Sequence, residues 1–242
     1  MQNQNDRSVK DAFILAAGFG KRLLPLTEHT PKPLLNINNT PMIEYILDAL
    51  SSINIRKVHI NSHYLSDKIE QYFMNRDSPY IKITKEKKLL DTGGGIKNAL
   101  KHDNKDPIFV INCDAILLQN YPKLLLDLES VFFSENMDAM LALSKISHAV
   151  GYSGSGDFFI DKDGMIHKTC LGNNKFVFMG ISILNPKVLD RLDKKDFSLT
   201  EIWDQLIENN RCYGFVYDKT WCHTGNLNSL DYANNFFKKN KK

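Results

Sequence analysis

Short apolar runs alternate with helical patterns through the first half of the chain, and this alternation constrains the fold more than any other feature. Ala12-Phe13-Ile14-Leu15-Ala16 reads as a buried strand. Thr40 is a good N-cap and Pro41 a good first helical residue. Met42, Ile43, Ile46, Leu47 and Leu50 follow at helical spacing. Residues 57–61 form a second strand pattern, Leu65, Ile69, Tyr72 and Phe73 mark one face of a second helix, and residues 80–84 form a third strand. A helix after Gly95 leads into a fourth strand at 107–112, then a helix over about 123–133 and a fifth strand at 138–143. Such order with short connections predicts an α/β fold. Its sheet is mostly parallel, doubly wound and Rossmann-like, with helices on both faces.

The second half changes character. Residues 151–163 are rich in Gly, Ser and Asp. Residues 158–160, 166–169 and 176–184 read as antiparallel strands, with a turn at Lys162-Asp163-Gly164. Ser198-Leu199-Thr200-Glu201 is a capping box. A last strand at 213–217 and a helix from about Asn228 follow. The expectation is one domain over 1–242, with a first half at about 12–145 and a second at about 146–242 that holds a small antiparallel subregion.

Net charge is +3, and the terminal run Lys238-Lys239-Asn240-Lys241-Lys242 exceeds it, so no bulk electrostatic case exists for nucleic acid. The four cysteines, Cys113, Cys170, Cys212 and Cys222, show no metal-binding spacing and read as free thiols. No apolar run approaches a membrane span, and the N-terminus carries no apolar targeting segment. A cytoplasmic protein without nucleic-acid or membrane partners is expected.

Parallel sheets bind ligands beyond the carboxyl ends of their strands, so the loops after Ala16, Ile60 and Ile111 matter most. Gly18 and Gly20 follow the first strand, where glycine admits a phosphate to the backbone but also serves ordinary strand-to-helix turns. Lys21 and Arg22 add charge. Leu23 breaks a dinucleotide fingerprint, and the spacing is wrong for a P-loop. Lys32 lies between Pro31 and Pro33, which suits either a preorganised phosphate-binding cation or an exposed turn lysine. Asp114 suits Mg²⁺, or a turn or helix cap. Three successive glycines, Gly93, Gly94 and Gly95, suggest close approach of a flat ligand before a helix. His59 reads as structural; His63 lies where it could touch ligand.

Residues 15–27 (L-A-A-G-F-G-K-R-L-L-P-L-T) and 31–34 (P-K-P-L) resemble the signature of the sugar-1-phosphate nucleotidyltransferases. The similarity continues through Asp91-Thr92-Gly93-Gly94-Gly95 and Asn112-Cys113-Asp114 to Trp221 and Gly225. The T-G-G-G-I run, Gly156-Asp157-Phe158 and the F-x-G-I-S run containing Gly180 are similar to the short uridylyl-transferring members.

The resemblance implies attack of a sugar 1-phosphate on the α-phosphorus of a nucleoside triphosphate, releasing pyrophosphate. It implies UMP transfer from UTP, with N-acetylmuramate 1-phosphate as acceptor. Guanylyl transfer to mannose or heptose 1-phosphate and cytidylyl transfer to phosphocholine are the alternatives. Arg22, Lys32 and Asp114 are then catalytic. Ala16, Ala17, Gly18, Gly20, Lys21, Arg22, Asn61, Gly93 and Gly94 face the nucleotide, while Asn112, Asp157, Asn174 and Gly180 face the sugar. Asp114 holds Mg²⁺, with Mn²⁺ as alternative. One departure stands out: Trp221-Cys222-His223-Thr224-Gly225-Asn226 carries His223 where the family places a second metal-binding aspartate. Either one carboxylate suffices with phosphates and water, or His223 joins a softer ion, or the chain binds nucleotide sugars without turnover. The resemblance fits a monomer or a homo-oligomer.

Overall fold

Strand β1 (Asp11–Leu15) lies inside the sheet, with a parallel neighbour on each side, in the computed structural model, which describes residues 8–103, 106–168 and 175–239. Cys170 and Asn174 lie outside the described residues. After β1 come a hairpin of β2 (Asn36–Ile37) and β3 (Thr40–Pro41), then α1 (Met42–Ser52), β4 (Lys57–Ser62), α2 (Ser66–Phe73) and β5 (Tyr80–Lys85). Next are α3 (Asp91–Ala99), β6 (Ile108–Asn112), β7 (Ala115–Leu117), α4 (Tyr121–Ser134), β8 (Ala139–Lys145) and β9 (Ala149–Val150). The chain continues through β10 (Phe159–Ile160), β11 (Ile166–His167), β12 (Phe176–Leu184) and α5 (Leu199–Glu208) to β13 (Cys212–Tyr217), β14 (Trp221–His223) and α6 (Leu227–Lys239).

The main sheet has seven strands in the order β13-β8-β12-β6-β1-β4-β5. All neighbours pair in parallel except β12, which runs antiparallel to both β6 and β8. The α/β doubly wound expectation therefore holds, and the second half of the chain supplies β12 and β13 to the same sheet. Alternating side chains cover its two faces. Ala12 and Ile14 pack with Ile43, Ile46 and Leu47 of α1, Ile69 of α2 and Leu125 and Leu128 of α4. Phe13 packs on the other face, with Ile96 of α3 and Ile202, Trp203 and Leu206 of α5. A third cluster joins Leu230 and Ala233 of α6 to Leu23, Ile37 and Cys222. It clamps the chain's end onto the loop that follows β1.

Two local expectations are corrected. Thr40 does not cap α1: it pairs with Ile37 in the β2–β3 hairpin, and the helix begins at Met42. Asn38 and Asn39 both take positive φ, 48° and 67°, the conformation of a tight hairpin turn. The glycine run does not precede α3 but lies inside it. Sequence reading also missed β7 and β14, three-residue strands too short to show a period. The capping box is as expected: both reciprocal Ser198–Glu201 hydrogen bonds form at the start of α5. Among the described residues, no helix is long and apolar enough to cross a membrane.

Candidate active site

The carboxyl ends of β1, β4 and β6 open into a cleft of about 390 Å³. Register puts Asn61 of β4 and Asn112 of β6 on either side of Leu15. The cleft is lined by Ala16, Ala17, Gly18, Gly20, Lys21, Arg22 and Lys32 from one loop, and by Asn61, Asn112 and Asp114 from the neighbouring strand ends. Sequence reading thus named most of its wall, from three separate stretches.

Gly18 and Gly20 are glycines for opposite reasons. Gly20 has φ +64°, and an added Cβ would lie 2.8 Å from the Thr27 methyl and 3.3 Å from Lys32 Cβ. The Thr27 hydroxyl also donates to the Gly20 carbonyl at 3.0 Å. Protein packing therefore requires a glycine there. Nothing in the protein lies within 4 Å of a Cβ added at Gly18. Packing gives no reason for that glycine, and it faces the cleft.

Lys32 opens a 3-10 turn between Pro31 and Pro33, both buried. It is no exposed turn lysine: its ammonium donates to Oδ2 of Asp114. Asp114 lies two residues past β6, in the turn to β7. Antiparallel pairing of β14 with β7 sets His223 opposite Ala115 and brings its Nε2 to 3.0 Å from the same Oδ2. The Thr224 amide and hydroxyl both donate to the Asp114 carbonyl, at 3.0 and 3.1 Å. Burial alone would raise the Asp114 pKa, but the Lys32 ammonium and the His223 hydrogen bond hold it well below the usual carboxylate range. Burial works against the charge on Lys32, and Asp114 outweighs it, so Lys32 is raised. Gly225 completes this corner, since a Cβ there would come 2.8 Å from His223 Nε2 and 3.1 Å from an Arg22 guanidinium nitrogen.

Gly93 and Gly94 do not line the cleft. Both of their amides donate to the Phe197 carbonyl, at 2.9 and 3.0 Å. A Cβ at Gly93 would strike the Phe197 ring at 2.4 Å, and one at Gly94 the Lys195 carbonyl at 2.2 Å. Close approach of residues 195–197 accounts for these two glycines, and the argument for a flat ligand at them lapses. The cleft wall here is Leu89, Asp91 and Thr92; the last two belong to the run that resembles the family, but the sequence reading assigned its ligand contacts to the glycines. A polar pair ahead of an apolar helical run looks like a helix start, so nothing in the residues themselves pointed to a ligand.

On the expected sugar side, Asn112 reaches the cleft and Gly180 lies behind it. Gly180 has φ +77°, and a Cβ there would approach Asn112 Nδ2 to 2.9 Å, so this glycine makes room for Asn112. The register of β12 shifts at the same point. Asp157 does not line the cleft. Its oxygens accept from the Tyr152 hydroxyl at 3.1 Å and the Phe178 amide at 2.8 Å. His63 bonds the Glu86 carbonyl through Nδ1 at 2.9 Å and is not part of the cleft wall.

Mg²⁺ is commonly held by one or two carboxylates plus substrate phosphates and water. Among the described residues no group of three or more His, Cys, Asp or Glu could hold an ion. Asp114, a hard carboxylate at the cleft floor, fits an ion that shares its shell with phosphate oxygens. His223 fits less well, because the nitrogen that donates to Asp114 has no lone pair to offer a metal.

The pattern of the nucleotidyl transferase family matches residues 11–152. The chain is 31% identical over 222 residues to the N-acetylmuramate alpha-1-phosphate uridylyltransferase of Caulobacter vibrioides, covering 89% of this chain and 92% of that one. It is 30% identical over 229 residues to a probable mannose-1-phosphate guanylyltransferase of Oryza sativa, covering 88% of this chain and 61% of that relative's length. The fold matches that of HddC from Yersinia pseudotuberculosis complexed with GMP-PN, with a TM-score of 0.75 at 23% identity over 95% of this chain and 100% of that one. It also matches the inositol-1-phosphate CTP transferase of T. maritima, with a TM-score of 0.79 at 16% identity over 96% of each chain. The chain belongs to the nucleotidyl transferase family and is a sugar-1-phosphate nucleotidyltransferase.

Proposed function

We propose that the protein transfers UMP from UTP to N-acetylmuramate 1-phosphate, in the cytoplasm, releasing pyrophosphate. The observation that carries this reading is the similarity to the Caulobacter uridylyltransferase, which spans nearly the whole of both chains. The rival is guanylyl transfer to mannose or heptose 1-phosphate; the mannose-1-phosphate guanylyltransferases that this chain resembles are covered only to about three fifths of their length.

The cleft suits the chemistry. An oxygen of the acceptor phosphate attacks the α-phosphorus and forms a new P–O bond. The bond from the α-phosphorus to the α,β-bridging oxygen breaks, and its electron pair leaves with pyrophosphate. The attacking phosphate is already ionised at neutral pH, so the reaction needs no protein nucleophile and no proton transfer. Positioning and charge neutralisation remain for the protein to supply. Gly18 opens the backbone to the triphosphate, and Lys21, Arg22 and Lys32 oppose its charge. Asp114 would hold Mg²⁺, or Mn²⁺ in its place. Bound there, such an ion would supply charge neutralisation at the phosphate oxygens and help align the reacting groups. Asn112, with Gly180 behind it, is the proposed sugar contact, and the second half of the chain is the proposed sugar-binding half.

The test is pyrophosphate release with each nucleoside triphosphate against N-acetylmuramate, glucose, mannose and heptose 1-phosphates, and against phosphocholine with CTP, in Mg²⁺ and then Mn²⁺. UTP with N-acetylmuramate 1-phosphate should give the highest kcat/KM. A higher value for GTP with mannose or heptose 1-phosphate would replace this reading with the guanylyl one. No release in any combination would leave a nucleotide-sugar-binding protein.

A further inference from the structure

Glu86 lies one residue past β5 and is 3% exposed. It does not line the cleft, and no step of the proposed reaction uses it. Its two carboxyl oxygens accept from neutral donors: Oε1 from Asn61 Nδ2 at 2.8 Å, and Oε2 from the Leu90 amide at 3.0 Å. Asn61 is itself fully engaged, since its Oδ1 accepts the Ala16 amide at 2.8 Å. Three hydrogen bonds therefore run in series from Ala16 through Asn61 and Glu86 to Leu90. Ala16 begins the phosphate loop on one side of the cleft. Leu90 lies between Leu89 and Asp91, which line the opposite side.

The carboxyl of Glu86 thus joins the two walls from behind. It also fixes which way the Asn61 amide points, since only the observed orientation offers oxygen to Ala16 and nitrogen to Glu86. Gly95 closes the arrangement from α3. A Cβ there would come 2.7 Å from Glu86 Oε1 and 2.8 Å from Asn61 Nδ2. The third glycine of the run is thereby explained by this network.

We propose that Glu86 is a positioning residue for the nucleotide. Through Asn61 and Leu90 it sets the separation of the phosphate-loop wall from the wall at residues 89–92, without touching substrate. The proposal rests on the reading of this cleft as the nucleotide site. A buried donor left without its partner disfavours the arrangement that buries it. Variants that break the series should therefore weaken nucleotide binding about tenfold, while the KM for the sugar phosphate and kcat move little.

Glu86→Gln is the first variant. Its amide can accept from only one of the two donors and sets an N–H against the other. Asn61→Asp is the second, and it faces Glu86 with another carboxyl. The double variant restores all three hydrogen bonds, with only the middle one reversed: Gln at 86 donates to Asp at 61 and still accepts from Leu90.

Binding of the fluorescent analogues MANT-UTP and MANT-GTP reads nucleotide affinity without turnover, and thermal melts report stability alongside. Each single variant should weaken binding of the preferred analogue about tenfold, and the double variant should regain most of it. Gly95→Ala should reproduce the loss. The positioning role is overturned if the single variants bind the nucleotide as tightly as wild type. It is also overturned if the KM for the sugar phosphate rises in parallel, or if the double variant is no better than the singles. Wild-type protein that binds neither analogue instead overturns the assignment of the cleft, and this proposal with it.

Discussion

His223 donates through Nε2 to Oδ2 of Asp114 at 3.0 Å, on the oxygen that also receives the Lys32 ammonium. Two donors thus converge on one buried carboxylate at the cleft floor. Histidine here serves the carboxylate rather than standing beside it as a second anion. His223→Asp should place two carboxyl groups against each other. The expected result is a melting temperature several degrees below wild type in EDTA, recovered on adding millimolar Mg²⁺, while wild type responds little to Mg²⁺ alone. Scanning fluorimetry with and without Mg²⁺ checks this. A wild-type melt that Mg²⁺ shifts as far as the variant's would show an ion already bound with His223 in place.

Gly18→Ala and Gly20→Ala should part company. Gly20 needs a left-handed backbone, which costs other residues about 1–2 kcal/mol, and the Thr27 methyl lies in the way. Its variant should melt earlier. Gly18→Ala meets no protein atom, so its melt should match wild type while triphosphate affinity drops. Melts paired with MANT-nucleotide titrations separate the two. Unchanged affinity in Gly18→Ala would argue that the cleft takes its phosphates elsewhere.

Lys32→Met should be among the most harmful single changes. Removing one partner of a buried ion pair costs about 3–5 kcal/mol. The variant should lose both chemical stability, read by urea denaturation, and pyrophosphate release. Asp114→Ala should abolish turnover, and a rate left intact would refute the metal assignment.

His59 gives a pH dependence away from the site. It is fully buried in β4, stacked on Phe13, with neither ring nitrogen hydrogen-bonded. Burial lowers its pKa from the ordinary 6.5 to about 4. The unfolded chain therefore binds the proton first, so this contribution to stability is complete above pH 6.5 and is lost as pH falls toward 4. The slope approaches about 1.4 kcal/mol per pH unit. Urea denaturation across that range should show it, and His59→Leu should flatten the curve. An equal slope in the variant would place the acid sensitivity at other groups.

The fold was legible because its strands are long enough to carry a pattern. Residues 12–16, 57–61 and 107–112 read as strands and became β1, β4 and β6, the three whose ends build the cleft. Lys32 and Asp114 were found because prolines and a strand end marked them. What stayed hidden depends on contacts between distant segments. Nothing near Gly93 or Gly94 in sequence announces that residues 195–197 will press on them. Glu86 stands among Lys85, Lys87 and Lys88 and looks like one charge in a solvated run, yet folding buries it behind the cleft. The β7–β14 pairing that brings His223 to Asp114 joins strands of three residues each, below the length at which periodicity speaks.

The central claim is that a sugar phosphate oxygen attacks the α-phosphorus of UTP in this cleft. N-acetylmuramate 1-phosphate carrying ¹⁸O in its phosphate tests it most directly, with wild-type enzyme, UTP and Mg²⁺, and with products read by mass spectrometry. The account predicts that all the label appears in a uridine-diphosphate sugar and none in pyrophosphate. Label in pyrophosphate, or no nucleotide sugar formed, would contradict it.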